Sequence, residues 1–355
     1  MNTIIESIHS NAIRYADRLC CADEKESMSY CKFYECISKA ASYFIHIGIM
    51  KGDVVLINAI TGVDYVIAYF AIQSIGAVSC AIDKSLTAEK IAEIAIHLKS
   101  QFLLGGNTLQ KCSIRVISFK DMRDWNDEMT EKWYLEYYDG PSQISNIIFT
   151  TGTTGKPKGI MVSNKADIAI AENVIDSVEM LPEEIELITT ALNHSLAIRR
   201  ITTALYIGSG VILSDSYFFP EVFFGLIEKY RVTAMTLVPA ILNIIFTTSQ
   251  DRIRRYNDTF HYVQIGSAPL HENIKEELIK MLPDVRLYNT YGMTESGCSI
   301  ILEFSKYRGR KGCIGRTTIN TQLLFVDENN QFIESTSKET AGRMVFRGDM
   351  NMSGY

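Results

Sequence analysis

Ten residues stand out for the chemistry that their types and spacing allow: Thr150-Thr151-Gly152-Thr153-Thr154-Gly155-Lys156-Pro157-Lys158-Gly159. The apolar run Ile147-Ile148-Phe149 leads into them and Ile160-Met161-Val162 leads out, so the segment reads as a loop fed by a strand. Its glycines permit backbone conformations that turn successive N–H groups toward one point and let a phosphate approach closely. The threonine hydroxyls add donors, and Lys158 adds a fixed positive charge for a polyphosphate. Pro157 stiffens the loop and biases Lys156 away from helix. A Walker A loop is excluded, because it needs Ser or Thr after Gly-Lys and a helix opening at once. Here Pro157 follows Gly155-Lys156, and counting from Gly152 does not give the required spacing.

Three more segments carry chemistry of a compatible kind. In Tyr288-Asn289-Thr290-Tyr291-Gly292-Met293-Thr294-Glu295, Tyr291 offers a flat face to a purine and Gly292 lets the backbone come close. Thr294 can hydrogen-bond a phosphate, and Glu295 is a hard oxygen ligand of the kind Mg²⁺ takes alongside phosphates. Gly266-Ser267-Ala268-Pro269-Leu270 follows a predicted strand and opens a predicted helix. Asn193-His194-Ser195 presents an isolated histidine. Arg199 and Arg200 read as the solvated start of a helix, with a second substrate carboxylate as the other reading.

Taken in this order, the segments resemble the motifs of the adenylate-forming superfamily, from about Tyr15 to Tyr355. That superfamily includes acyl-CoA synthetases, aryl-acid ligases, luciferase and peptide-synthetase adenylation domains. The resemblance implies ATP-dependent activation of a carboxylic acid as its acyl-adenylate, with pyrophosphate released. It assigns the phosphates to Thr150, Thr151, Gly152, Thr153, Thr154, Gly155 and Lys158. The backbone of Gly266, Ser267, Ala268 and Pro269 would lie along the adenine and the acyl pocket. Asn289, Thr290, Tyr291, Gly292, Met293 and Thr294 complete the nucleotide set, with Tyr291 stacked on adenine, Thr294 on the α-phosphate and Glu295 holding Mg²⁺. Thr294, Glu295, Lys158 and His194 are the implied catalytic residues, His194 standing near the substrate carboxylate. Members that activate α-amino acids usually carry Phe-Asp in that region, and its absence leans against an amino acid. Gly312-Cys313-Ile314-Gly315-Arg316 and Ala341-Gly342-Arg343-Met344-Val345 through Gly354-Tyr355 resemble two further, mainly structural motifs.

Complete members continue past this point with a ribose-binding Asp, a hinge and a small C-terminal domain that brings a lysine and the thiol site. The expectation is therefore the large domain of an acyl-CoA synthetase-type ligase, with slow adenylation and no thiol transfer. CoA is the implied acceptor, or the phosphopantetheine of an acyl carrier protein in an enzyme that loads a carrier. A nucleotide-binding half-protein without full catalysis is the reading from a different class.

The elements that must position these segments follow from composition and periodicity. In 355 residues, 47% are hydrophobic and 21% charged, enough for a sizeable core. Lys plus Arg at 35 against Asp plus Glu at 41 gives a net charge of -6, and no basic stripe offsets it, so nucleic acid is not an expected partner. The eight cysteines form no CxxC pair or metal-ligand spacing, which points to a reducing, cytoplasmic setting. Met1 to Ser10 has neither a basic n-region nor a long apolar core. Tyr65 to Ile82 carries no charge, but Gly76 divides it into a helical and a strand-like half, so no membrane span is expected.

Strand-length apolar runs alternate with helical spacing over most of the chain, which predicts an α/β fold with largely parallel sheets. Two stacked α/β lobes are expected, over 1–145 and 146–311, separated by the polar stretch Asp121 to Ser145. From Gly312 the texture turns to short β-like runs, an incomplete β-rich subdomain over 312–355.

Overall fold

The computed structural model describes residues 2–106, 114–126, 140–150, 158–334, 336–337 and 341–355. Helix α1 (Ile4–Arg14) is capped by the Thr3 hydroxyl, which accepts from the Glu6 N–H. The antiparallel pair β1 (Leu19–Ala22) and β2 (Ser27–Ser29) leads into α2 (Tyr30–His46). Alternation then runs through β3 (Val54–Asn58), α3 (Val63–Ser74), β4 (Val78–Ile82), α4 (Ala88–Leu98), β5 (Phe102–Leu104), β6 (Arg115–Ile117) and α5 (Phe119–Asp124). An antiparallel pair, β7 (Ile144–Thr150) and β8 (Lys158–Ser163), precedes α6 (Asn164–Val178). The Ser163 hydroxyl caps α6, accepting from the Ala166 N–H. The first large sheet has the order β6-β5-β3-β4-β7-β8 and is parallel up to β7.

The second half continues with β9 (Ile185–Ile188), α7 (Ser195–Ile207), β10 (Gly210–Leu213), α8 (Pro220–Tyr230), β11 (Ala234–Leu237), α9 (Pro239–Ser249), β12 (Tyr262–Ile265), α10 (Glu272–Met281), β13 (Arg286–Met293), β14 (Gly297–Glu303) and β15 (Arg316–Thr317). These strands and the first hairpin make a sheet of order β15-β14-β13-β12-β11-β9-β10-β1-β2. Its centre is parallel, and both margins end in antiparallel pairs. The β-rich tail is a small antiparallel sheet of β16 (Gln322–Val326), β17 (Phe332–Ile333) and β18 (Arg343–Arg347), with β16 in the middle. The fold is the predicted α/β architecture, with largely parallel sheets and a small antiparallel sheet at the end.

Between the two large sheets lies a shared layer of helices. Ile8 of α1, Phe33 of α2, Phe70 of α3, Ala166 of α6 and Ile201 of α7 belong to one buried cluster with Ile57 of β3 and Val211 of β10. At about 1.5–3 kcal/mol for each large apolar side chain buried, this layer is what fixes α6 and α7 in place. The outer face of the nine-stranded sheet is covered by α8, α9 and α10, and that of the six-stranded sheet by α4. The small sheet packs Phe346 against Ile170 of α6 and Ile300 of β14.

Sheet membership cuts across chain order. Residues 19–29 lie in the nine-stranded sheet, where Cys21 pairs with Val211, whereas residues 144–163 complete the six-stranded one. The uncharged run Tyr65 to Ile82 becomes most of α3 and all of β4, and α3 is buried on nearly every side. No helix among the described residues is long and apolar enough to cross a membrane.

Candidate active site

The β7–β8 hairpin brings the first motif to the sheet edge, with Thr150 and Lys158 as register partners at its mouth. Thr151, Gly152, Thr153, Thr154 and Gly155 lie outside the described residues. Lys158 is exposed, and its ammonium stands 4.7 Å from the centre of the Tyr355 ring.

The second motif occupies β13 and the turn into β14, a strand that the alternation of the sequence does not reveal. The register shifts between Tyr291 and Gly292. Gly292 has no substitute there: a Cβ would sit 1.9 Å from the Gly297 carbonyl oxygen across the hairpin. Tyr291 is 37% exposed, leaving its ring open to a ligand. Asn289 turns away, donating from Nδ2 to the Ile265 carbonyl (3.1 Å), and the Thr290 hydroxyl donates to the same oxygen (3.4 Å). These bonds tie β13 to the end of β12. There Gly266 passes so close that a Cβ would meet the Thr290 hydroxyl at 2.5 Å, and Ser267 adopts a left-handed φ of 69°. Non-glycine residues take that conformation where the surroundings impose it, often beside functional sites.

His194 is the exposed N-cap residue of α7. The preceding Asn193 donates to Asp83 Oδ2 (3.3 Å) at the end of β4, which links the start of α7 to the first sheet. The Thr294 hydroxyl donates to Ser195 Oγ at 3.4 Å. Arg199 and Arg200 correct the expectation of a solvated helix start: both lie within α7, 8% and 0% exposed. The reason is tertiary, since α7 is enclosed in the layer between the two sheets. Arg200 Nε donates to Glu186 Oε1 (2.7 Å) and its NH2 to Glu186 Oε2, while NH1 donates to Gln264 Oε1 (3.0 Å) and NH2 also to the Tyr262 hydroxyl (2.7 Å). Arg199 instead donates from NH1 to the Met293 carbonyl (2.9 Å) and from NH2 to the Thr294 carbonyl, pinning the turn of the second motif. Burial pushes its guanidinium down to about 10, opposed by Asp167 on α6. Burial likewise pushes Asp167 up to about 6, against hydrogen bonds from Ser145 Oγ (2.6 Å) and Asn146 Nδ2 (2.9 Å) of β7 and the charge of Arg199.

These elements enclose an open cavity of about 600 Å³. Its lining includes Lys158 from β8, His194 and Ser195 from α7, Ser267 after β12, and Thr290 through Glu295. Gly266, Ala268, Pro269 and Asn289 are not among the lining residues. Arg199, Arg200 and Tyr355 are; for the two arginines this favours the second of the two sequence readings over a solvated helix start, whereas Tyr355 had no place in the predicted site. The Tyr355 hydroxyl donates to Glu295 Oε1 (3.2 Å), and the Met352 N–H donates to the Glu295 carbonyl (2.8 Å). No group of three or more His, Cys, Asp or Glu side chains with metal-ligand geometry occurs among the described residues. Glu295 alone beside the Thr294 hydroxyl fits a hard cation that draws its remaining ligands from phosphate oxygens and water.

Comparison with known proteins identifies the family. The family model described as AMP-binding enzyme matches residues 8–355. A 4-coumarate-CoA ligase 1 from Narcissus pseudonarcissus is 24% identical over 97% of this chain and 67% of its own length. A 4-coumarate–CoA ligase 2 from Petroselinum crispum is 24% identical over 93% of this chain and 64% of its own. The chain thus spans about two thirds of the curated relatives it matches. Among solved structures, the inhibitor-bound N-terminal domain of FACL13 from Mycobacterium tuberculosis superposes with a TM-score of 0.84 at 19% identity, covering 99% of this chain and 90% of that one. The FadD1 long-chain-fatty-acid-CoA ligase of Archaeoglobus fulgidus gives 0.85 at 19% identity, covering 99% and 76%. With the motifs in order and the family model spanning nearly every residue, the chain belongs to the AMP-binding enzymes of the adenylate-forming superfamily.

Proposed function

We propose that this chain binds ATP in the cavity between β8, α7 and β13, and that the protein to which it belongs converts a carboxylic acid to its acyl-adenylate for transfer to the thiol of CoA. One observation carries this reading: Lys158, His194, Ser267 and Thr290 through Glu295, drawn from four separate stretches of the sequence, line one cavity. The Tyr291 ring offers a face for adenine, and the β7–β8 hairpin, Thr150 through Lys158, serves the phosphates. Thr294 hydrogen-bonds the α-phosphate and His194 stands by the substrate carboxylate. Glu295 would hold Mg²⁺, which when bound neutralises phosphate charge. A carboxylate oxygen attacks the α-phosphorus in line, the acyl–phosphate bond forms, and the bond to pyrophosphate breaks. Lys158 and the hairpin donors stabilise the charge that develops on the leaving phosphates. The Tyr355 hydroxyl donates to Glu295 and its ring lies beside the Lys158 ammonium, so this residue touches both charged groups assigned to the phosphates and the metal. The names of the curated relatives support CoA as acceptor.

Calorimetric titration of Mg·ATP into the 355-residue chain tests the reading, with Glu295→Ala and Lys158→Ala as controls. Saturable binding weakened by both changes supports it. A folded chain that takes up no Mg·ATP sinks it.

A further inference from the structure

The cavity wall contains a buried cation with no contact ion pair: the charge of Asp167 on α6 acts on it only from beyond ion-pair distance. Arg199 is 8% exposed and lines the cavity, yet no carboxylate among the described residues lies within ion-pair distance of it. Its two terminal nitrogens each donate to a backbone carbonyl, and its Nε is buried with no partner. Guanidinium has five N–H donors, so most of its capacity is unused. The next residue shows what a charge in this layer otherwise takes: Arg200 has both oxygens of Glu186, the Gln264 carbonyl and the Tyr262 hydroxyl. A buried charge whose direct contacts are all neutral dipoles is costly, and such groups are normally paired or serve a ligand. Ile170, Val174, Leu196 and Cys298 of the same lining are largely apolar and suit the carbon skeleton of a small molecule, while Glu295, the acid of the lining, is assigned to Mg²⁺.

The geometry points to Arg199 as the receptor for a second, distal carboxylate of the substrate, so that the acid activated is a compact dicarboxylic acid. This inference rests on the proposed function and deepens it. The pair Arg200–Glu186 closes on itself and Lys158 is assigned to the phosphates, which leaves Arg199 as the remaining cation of the described lining for the acid. Because the same cavity must hold the nucleotide, its volume of about 600 Å³ leaves room for a short spacer between the two carboxylates. A guanidinium and a carboxylate form the planar, charge-assisted pair that discriminates against a neutral ester of nearly equal size.

The test uses glutarate, adipate and isophthalate, each beside its monomethyl ester, titrated calorimetrically into the 355-residue chain saturated with a non-hydrolysable Mg·ATP analogue. At least one diacid is expected to bind about tenfold or more tighter than its ester, the gain of one charge-assisted pair. That ratio should fall to near one in Arg199→Met and persist in part in Arg199→Lys. Equal affinity for diacid and ester in the unmodified chain overturns the inference, and so does a preference that survives in Arg199→Met. Failure of every probe to bind a chain that binds the nucleotide overturns it as well. The unmodified chain decides by itself if Arg199→Met does not fold. Nucleotide affinity is read in the same experiment, so loss of ATP binding, which sinks the functional reading, is distinct from loss of diacid preference.

Discussion

Replacing Glu186 by alanine removes the carboxylate that faces Arg200 at the centre of the nine-stranded sheet. Both side chains are essentially closed to solvent, at 0% and 1% exposure. The carboxylate accepts from Nε and NH2 of Arg200, from the Thr236 hydroxyl and from the Tyr262 hydroxyl, so truncation orphans several donors, one of them charged. Breaking a buried pair by removing one partner costs about 3–5 kcal/mol, because the surviving charge cannot reach water. A native stability of about 5–15 kcal/mol makes that a large share of the total. Urea unfolding followed by circular dichroism should show the midpoint falling by about 1–1.7 M, taking a slope of about 3 kcal/mol/M. Glu186→Met combined with Arg200→Met should cost less than Glu186→Ala alone, since it leaves no unpaired charge. A loss below about 1 kcal/mol for Glu186→Ala, or strictly additive losses in the double variant, would refute the argument that burial makes the two charges interdependent.

Gly292→Ala forces a Cβ to within 1.9 Å of the Gly297 carbonyl, so the β13–β14 hairpin must open and Mg·ATP affinity should drop by about tenfold or more in calorimetry, equivalent to about 1.4 kcal/mol. Glu295→Ala should weaken Mg·ATP more than it weakens metal-free ATP, a comparison that an isotherm series with and without Mg²⁺ reads directly. Asp167 titrates at about 6 when folded, against 3.8 for the free group, because burial favours the neutral form. The folded state therefore holds the proton more tightly, and the stability this lends below pH 4 is lost as pH rises through 6. Over that window the unfolding free energy of Asp167→Asn relative to the parent chain should improve by up to about 3 kcal/mol, measured in urea at pH 4, 5, 6 and 7. A flat difference would mean that the carboxyl stays charged throughout.

What residues next to one another in the chain can encode was legible in the sequence. The split of Tyr65 to Ile82 at Gly76 became α3 and β4, and the strand and helix expected on either side of Gly266 to Leu270 are β12 and α10, because strand and helix are set by neighbouring side chains and backbone groups. The nucleotide motifs were legible for the same reason. A glycine that must admit another backbone, as Gly292 does, and a tyrosine and a carboxylate at fixed offsets are local requirements. The sheet assignment was decided only in three dimensions, since β1 joins its sheet through pairing of Cys21 with Val211, a contact no local period announces. So was the fate of Arg199 and Arg200. Charges in a helix read as solvated until the packing of α7 between two sheets removes the water, after which each must find a partner or wait for a ligand. The placing of Tyr355 against both Lys158 and Glu295 has the same origin: it joins three segments whose proximity exists only after the sheets have formed.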